Sequence, residues 1–231
     1  MVDGEELKEL LGKNGADTAG FCRAEKMAAA PRGRRPFDLL PAAKSIIVFG
    51  ISLNAGAVSN LPATRGAYLA EIETVNNALN TLGYNTVKYL EKRGFAGVAV
   101  PANTTDRAAA RLAGDMSLRH AAAAAGLGLF GASGLILNEK FGARLRFGAV
   151  ITSAVIAHEE NKPRDLCLRC GRCAKACPAG ALWGWEGGFS PAAGREVNKE
   201  KCYRYMFVHP KERGCGMCVA NCPLSMNPQI S

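Results

Sequence analysis

The sequence predicts a mixed α/β domain (α+β or α/β) followed by a small cysteine-rich domain. Apolar segments typical of buried strands alternate with segments of helical periodicity through roughly the first 155 residues. Eight of the nine cysteines lie between Cys167 and Cys222, whereas the rest of the chain holds only Cys22. We therefore expect the α/β domain to span residues 1–160 and the cysteine-rich domain to span residues 161–231.

The strand candidates of the first domain are short apolar segments rich in β-branched residues. Residues 44–52 (KSIIVFGIS) are typical of a buried central strand. Residues 95–100 and 145–153 are further candidates. Cys22 lies in another segment with strand character, and a lone cysteine is most often a small buried hydrophobic residue. We expect a structural role for Cys22.

Helical periodicity marks residues 5–11 and 65–93 of the first domain. Residues 105–125 are alanine-rich, which predicts one or two helices interrupted near Gly114. Gly83 is expected to kink or break the second of these helices, and Gly94 to follow its end as a left-handed cap. Residues 32–41 hold three arginines and two prolines, which predicts an irregular loop.

The charge balance and the N-terminal sequence limit the class of protein. The formal net charge is +9, but the basic residues are scattered, which favours a solvated or anion-facing surface over a nucleic-acid groove. The acidic, amphipathic N-terminal segment predicts no export signal, and no apolar segment suits a membrane span. We expect a cytoplasmic protein whose thiols are reduced rather than joined in disulfides.

The cysteines of the second domain form two motifs that both end in Cys-Pro. The first, Cys-x2-Cys-x2-Cys-x3-Cys-Pro, runs from Cys167 to Cys177. The second, Cys-x12-Cys-x2-Cys-x3-Cys-Pro, runs from Cys202 to Cys222. The first has the spacing of bacterial ferredoxins, in which three thiolates bind one [4Fe–4S] cluster and the fourth binds the other.

This crossed pairing predicts the ligands of two clusters. Cluster 1 takes Cys167, Cys170, Cys173 and Cys222, and cluster 2 takes Cys177, Cys202, Cys215 and Cys218. Cys202 departs most from the compact pattern, because twelve residues separate it from the next cysteine. The alternative is two four-thiolate zinc sites, although zinc does not require a third evenly spaced cysteine followed by Cys-Pro.

A glycine-rich segment, Gly126-Leu-Gly128-Leu-Phe-Gly131, matches the pattern G-x-G-x-x-G. A dinucleotide fingerprint needs a preceding strand, a following helix and an acidic residue about 20 positions later. Here an alanine-rich helix is expected before it, and residues 147–153 contain no acid. Two interpretations remain: a tight helix-to-strand turn, or a loop whose bare backbone lies against a flat ligand.

Several segments resemble epoxyqueuosine reductases and their shorter relatives. They include residues 119–153 (RHAAAAAGLGLFGASGLILNEKFGARLRFGAVITS) and, in the tail, CLRCGRCAKACPAGAL, KCYRY and GCGMCVANCP. Reductive dehalogenases are similar in architecture. The resemblance implies a nitroreductase-like α/β domain followed by a two-cluster bacterial ferredoxin-like domain.

The resemblance also implies an oxidoreductase in which two clusters pass low-potential electrons to a cofactor in the α/β domain for a reductive reaction. That cofactor would be base-off cobalamin, with FMN as the second choice. Its binding residues would come from the glycine-rich loop: Gly126, Gly128, Gly131, Ser133 and Gly134. The alternative is a non-catalytic electron-transfer protein, or a reductive activator of a partner corrinoid protein or enzyme.

The proton donor is where the sequence departs from the resemblance. The aspartate of the full reductases falls on or beside Ala113 here, which leaves Asp115, His120 and Tyr203 as candidates. The expected partners are an external electron donor of the ferredoxin or flavodoxin type and a small-molecule or corrinoid-protein acceptor. Domains of the nitroreductase type often dimerise, so the resemblance raises a homodimer as well.

Overall fold

The structure is a computed structural model that describes residues 1–103, 112–184, 188–194, 197–208 and 214–225. The chain divides into two compact units that alternate along the sequence. The first unit comprises residues 1–51, 75–127 and 146–162, and the second comprises residues 52–74, 128–145 and 163–231. The last crossing between the units, at residues 162–163, is close to the predicted domain boundary, but two earlier segments also belong to the second unit.

The first unit contains a four-stranded sheet. Its spatial order is β2 (Thr18–Arg23), β3 (Ser45–Ser52), β7 (Leu145–Thr152) and β4 (Gly97–Val100). β2 is antiparallel to β3, and β4 is antiparallel to β7. The sheet is therefore not the all-parallel sheet that a regular alternation of strands and helices would give. β3 is an inner strand with its first six residues buried, which confirms the predicted central strand.

The first helix, α1 (Gly4–Lys13), forms where the leucine periodicity predicts it. The Asp3 carboxylate caps it by accepting hydrogen bonds from the amides of Glu5 and Glu6, at 2.8 and 3.2 Å. Leu7 and Leu11 are fully buried. The acidic residues of the first turn also complement the positive end of the helix dipole.

The longest helix, α4 (Gly66–Glu91), continues through Gly83, so the predicted kink or break there is wrong. A Cβ atom at Gly83 would lie 3.3 Å from that of Ala99 in β4. The glycine is therefore explained by close helix-to-sheet packing rather than by a bend. Gly94 has a φ of +80°, and its amide donates to the carbonyl of Glu91, which confirms the predicted end of the helix.

Three smaller features complete the first unit. The predicted irregular loop at residues 32–41 contains a short helix, α2 (Pro36–Leu39), because the Asp38 carboxylate accepts hydrogen bonds from both the backbone and the guanidinium of Arg35. β1 (Val2–Asp3) pairs with β8 (Ile156–Ala157) in parallel. α5 (Leu118–Ala124) covers the end of the predicted helix at residues 105–125; residues 104–111 lie outside the described part.

The second unit is built from short elements. They are α3 (Ala55–Ser59), β5 (Leu129–Phe130), β6 (Ile136–Leu137), α6 (Arg172–Lys175), α7 (Lys199–Tyr203) and α8 (Met217–Ala220). From residue 163 onward, the buried apolar residues of the described part are only Ala181, Leu182 and Val219. This segment therefore needs a source of stability other than an apolar core.

The described helices include none that is both long and apolar enough to cross a membrane.

Cys22 in β2 provides a test of the fold. Its side chain is fully buried, and burial raises its pKa to about 12. At pH 8 only about one thiol in 10⁴ would then be ionised, and the thiolate is the reactive form. We expect iodoacetamide to label Cys22 at least about 100-fold more slowly in the native protein than in urea, as measured by peptide mass spectrometry. Labelling at equal rates would contradict the buried position.

Candidate metal centre

A cavity in the second unit is lined by four cysteines from distant parts of the sequence. It encloses about 390 Å³ of empty space, including solvent at its mouth. The cysteines are Cys167, Cys170, Cys173 and Cys222. The remaining wall comes from the β5–β6 region and from the turn after Cys222, with Ser133 and Leu168 among its members.

The two cysteine motifs have the same local geometry, which the sequence Cys-Gly-x-Cys explains. Gly171 and Gly216 adopt left-handed conformations, with φ of +70° and +68°, and each immediately precedes a four-residue helix. Cys173 and Cys218 lie in the first turns of these helices, α6 and α8. The left-handed glycine turns the chain between two cysteines, so that both thiols can face the same centre.

The cysteines assigned to cluster 1 are close neighbours. Burial raises the pKa of the Cys173 thiol, and the nearby thiols of Cys222, Cys167 and Cys170 raise it further. The same mutual effect acts on Cys222, whose pKa is raised first by burial and also by Cys167 and Cys170. Four such thiols cannot ionise together without a compensating positive charge.

The cysteines assigned to cluster 2 form a second group of the same kind. Burial raises the pKa of Cys218 to about 12, and Cys215, Cys202 and Cys177 contribute in the same direction, with a smaller effect of Cys173. The structure thus brings Cys202 to the other three despite its long spacing in the sequence. A bound metal centre has the opposite effect on these thiols: it lowers their pKa so far that each coordinating thiol is deprotonated.

Backbone amides point at several of these sulfur atoms. The amide of Ala132 lies 3.4 Å from Cys167 Sγ, and that of Ala181 lies 3.3 Å from Cys177 Sγ. The amides of Leu224 and Ser225 donate to the sulfur of Cys222. Amide donors of this kind stabilise the negative charge of thiolates bound to iron–sulfur clusters and influence their reduction potential.

The turn after Cys222 is held by the segment that follows β6. A Cβ atom at Gly142, which has a φ of +57°, would overlap the carbonyl oxygen of Leu224. The buried Ser225 hydroxyl accepts a hydrogen bond of 3.3 Å from the amide of Ala143. This close approach keeps the last cysteine at the cavity.

The ligand geometry distinguishes the two kinds of metal site. Among the described residues, no three His, Cys, Asp or Glu side chains converge closely enough to share one metal ion. A zinc site would need its sulfurs about 2.3 Å from a common ion. A [4Fe–4S] cluster instead binds each thiolate through a different iron, so wider spacing of four thiols suits it. The four thiols around the cavity, in the sequence spacing of a two-cluster ferredoxin, fit a [4Fe–4S] cluster.

The glycine-rich loop is largely covered by the chain itself. A Cβ atom at Gly126 would lie 2.6 Å from the carbonyl oxygen of Asn161, and one at Gly131 would lie 2.8 Å from the Leu137 side chain. At Gly128 it would overlap the carbonyl oxygen of Leu137. Helix α5 precedes the loop and strand β5 follows it, which confirms the rejection of a dinucleotide fold and matches a tight turn.

The other loop residues have different surroundings. Ser133 lines the cysteine cavity, and its hydroxyl lies 3.4 Å from the amide of Leu135. Gly134 has a φ of +72°, and its amide donates to the carbonyl of Gly131 within the turn between β5 and β6. These two residues therefore belong to a hairpin beside the cysteines, whereas their predicted contact with a corrinoid stays a prediction.

The three candidate proton donors do not line the cysteine cavity. Asp115 and His120 are exposed residues of the first unit, and His120 Nδ1 lies 2.7 Å from Ser117 Oγ. Tyr203 belongs to the second unit, and its ring is 5.1 Å from that of Phe207. The geometry gives none of the three a stronger case as proton donor than the sequence did.

Sequence reasoning missed the residues that support the cysteines. Ala132, Leu224 and Ser225 act through backbone amides, which every residue except proline possesses, so their identities carry no signal. Gly142 was also missed, although a glycine beside a strand is a weak sign of close backbone approach.

Comparison with known proteins agrees with this geometry. A family model for 4Fe–4S binding domains matches residues 162–183, and a second such model matches residues 199–226. The epoxyqueuosine reductase of Listeria monocytogenes is 34% identical over 118 residues, which covers 48% of this chain and 30% of that protein. A tetrachloroethene reductive dehalogenase of Desulfitobacterium hafniense is 26% identical over 188 residues, covering 77% and 29%.

The structure is also similar to that of an epoxyqueuosine reductase over almost the whole chain. A crystal structure of selenomethionine-labelled epoxyqueuosine reductase superimposes with a TM-score of 0.64 at 20% identity, covering 98% of this chain and 68% of that one. The chain is similar in sequence and in fold to epoxyqueuosine reductases. It carries two iron–sulfur motifs within a mixed α/β fold that has a ferredoxin-like C-terminal part. It spans less than a third of the length of the dehalogenases it matches.

A substitution at Gly142 tests whether its close contact with Leu224 holds Cys222 in position. We expect Gly142→Ala to weaken cluster retention, because the added methyl group would displace Leu224 and the amides that reach Cys222. Gly184→Ala is the matched control: Gly184 also has a positive φ, of +71°, but a Cβ atom there meets nothing within 4 Å.

Both variants carry the same type of backbone strain, of about 1 kcal/mol. Iron content and absorbance near 400 nm after anaerobic purification measure the difference between them. Equal iron loss in the two variants would show that the left-handed conformation, not the contact with Leu224, matters.

Proposed function

We propose that this protein is an iron–sulfur oxidoreductase that transfers single low-potential electrons through two [4Fe–4S] clusters to a corrinoid acceptor. The observation that carries the proposal is the meeting of eight cysteines in two groups of four, in the crossed order of a two-cluster ferredoxin. The proposed ligands are Cys167, Cys170, Cys173 and Cys222 for cluster 1, and Cys177, Cys202, Cys215 and Cys218 for cluster 2.

When bound, each cluster supplies a one-electron redox centre. The chain contributes the thiolates, the amides that compensate their charge, and the partial exclusion of water. The partial burial of Cys173, Cys218 and Cys222 lowers the polarity around the sulfurs. The amides of Ala132, Ala181 and Leu224 offset part of the negative charge, so that both redox states can be held without large structural change.

Support for a corrinoid as the acceptor comes from the relatives. One reductive dehalogenase whose structure resembles this chain, at 20% identity and a TM-score of 0.69, is described as acting in B12-dependent dehalogenation. The covered faces of Gly126, Gly128 and Gly131 do not fit the predicted contact between a bare loop backbone and a flat macrocycle. We therefore derive no catalytic step through a bound corrin or flavin.

The second candidate function is a reductive activator or electron carrier whose corrinoid acceptor belongs to a partner protein. Two observations favour it: the covered glycine faces, and Ala113 at the position of the proton-donating aspartate. Both candidates require the two clusters and differ in where the acceptor is held.

Metal analysis and a cysteine substitution test the shared part of both candidates. We expect about eight iron and eight sulfide ions per chain after anaerobic reconstitution. Cys173→Ser should lower iron to about four, because it removes one ligand of cluster 1 only. Cys22→Ser, which removes a buried thiol outside both groups, should leave about eight.

Zinc in place of iron would refute the proposal. Loss of both clusters in Cys173→Ser would instead mean that they assemble as a unit.

A binding experiment separates the two candidates. The reduced holoprotein is mixed anaerobically with cobalamin and passed through a desalting column, and the absorption and EPR spectra of base-off Co(II) are recorded. Retention of cobalamin in a ratio of about one per chain supports an acceptor held by this chain. Rapid reduction of free cobalamin without retention supports the carrier or activator.

A further inference from the structure

Helix α6 of the first cysteine motif and helix α8 of the second occupy matching positions but expose different side chains. The first motif contains Cys-Gly-Arg-Cys-Ala-Lys, and the second contains Cys-Gly-Met-Cys-Val-Ala at matching positions. Arg172 and Lys175 of α6 are exposed, and none of the four residues of α6 is buried. In α8, by contrast, Val219 is buried. Two structurally equivalent helices thus present a basic surface in one case and a packed apolar residue in the other.

An unusual backbone conformation lies beside this basic helix. Arg169 has a φ of +50°, the only positive φ among the described non-glycine residues. Its guanidinium donates to the Asp165 carboxylate at 2.6 Å and to the carbonyl of Cys167 at 3.2 Å. Such a conformation costs about 1 kcal/mol or more and persists only where the surroundings hold it, which is common at functional sites.

The strained turn leaves an apolar side chain in solvent. Leu168, directly before Arg169, is 65% exposed although it also lines the cysteine cavity. Cys170, directly after Arg169, is the only one of the nine cysteines that is exposed. A proposed ligand of cluster 1 therefore reaches the surface, flanked by an exposed leucine and by cations.

The segment that contains Leu168 and helix α6 carries an excess of positive charge. Residues 164–175 hold four cations and one anion, Asp165. Arg164 is paired with Glu139, and Arg169 with Asp165. Arg172 and Lys175 form no ion pair with any residue in the described ranges. Complementary charge steers association between proteins and orients the partner before contact.

We propose that Leu168, Arg169, Cys170, Arg172 and Lys175 form a donor face, on which an acidic electron-carrier protein docks and reduces cluster 1. The proposal rests on the proposed function, because it requires a cluster at these cysteines. The exposed cysteine brings the redox centre to the surface, the leucine supplies an apolar contact, and the cations select an acidic partner. One electron passes from the reduced carrier to the oxidised cluster, so no bond is made or broken.

A nucleic acid is the other class of partner that a basic surface could attract. The donor face favours a protein, since a nucleic acid gains nothing from an exposed leucine beside a redox ligand. The cations are also few and lie on a helix of only four residues, whereas nucleic-acid affinity depends on many phosphate contacts.

Rapid mixing of the oxidised holoprotein with reduced flavodoxin, an acidic carrier, tests the donor face. Arg172→Glu/Lys175→Glu reverses the two exposed cations of α6. We expect its second-order reduction rate to fall by about tenfold or more at low ionic strength, with a smaller difference in high salt. Leu168→Ser should slow reduction at all salt concentrations, because it removes an apolar contact.

Matched variants control for net charge and for loss of an apolar surface residue. Arg32→Glu/Lys92→Glu reverses one exposed arginine and one exposed lysine of the first unit, and Val155→Ser removes a side chain that is 52% exposed. Both should be reduced at the parental rate. Reduced methyl viologen, a small cation that needs no docking, should reduce every variant at least as fast as the parent.

Three results would overturn the proposal. The first is an unchanged rate with flavodoxin in Arg172→Glu/Lys175→Glu, and the second is an equal slowing of the control variants. The third is an unchanged flavodoxin rate combined with lost binding of an RNA stem-loop, which would assign the face to nucleic acid. Failure of the proposed function is distinguishable, because it would appear first as missing iron or as no reduction by methyl viologen.

Discussion

Mutual repulsion among closely spaced thiolates is the constraint on which the second unit depends. The chain collects eight cysteines into two groups. Burial raises the pKa of Cys173, Cys222 and Cys218, and neighbouring thiols of the same group raise it further. In the described part of the chain after residue 163, few apolar residues are buried, so they offset little of this cost. A cationic centre inside each group would allow its four thiols to ionise together, so we expect metal loading and folding of this region to be thermodynamically linked.

The other features of the second unit serve this constraint. Left-handed glycines start α6 and α8 so that paired cysteines face one centre, and amides from three separate segments reach the sulfurs. Support also comes from residues far away in sequence. The segment around Gly142 holds the turn after Cys222, and Tyr68 lies against Gly216, where any side chain would overlap its ring. The cluster-binding unit is thus wider than the two cysteine motifs.

Much of the fold could be predicted from the sequence where the physical signal is local. Residues 44–52 are apolar and β-branched, and they form an inner strand. The cysteine spacing likewise predicts two groups of four, and the four cysteines assigned to cluster 1 line one cavity. Strand direction could not be predicted, since it depends on how chain segments distant in sequence pair. The predicted kink at Gly83 was wrong because the sequence does not distinguish a glycine needed for close packing from one that breaks a helix.

The site itself was predictable only in its thiols. Amide donors such as Ala132 have no characteristic residue type, and the left-handed Arg169 contradicts the local preference of arginine. In the glycine-rich loop, the sequence pattern suggested contact with a bound ligand, but residues of the chain itself fill the space beside the glycines. Gly126, Gly128 and Gly131 lie against Asn161 and Leu137, so intramolecular packing alone accounts for their lack of side chains.

The crossed order of the cysteines has a consequence for biosynthesis. In the proposed assignment, cluster 1 combines three thiols from the start of the second domain with Cys222, which the ribosome adds 45 residues after Cys177. Neither group of four is complete until Cys218 and Cys222 have emerged. Metal delivery must therefore follow translation of nearly the whole domain, and nascent chains expose up to seven reduced thiols before then. In this assignment, cluster insertion is complete only after Cys222 has been translated, and the earlier thiols must stay reduced until then.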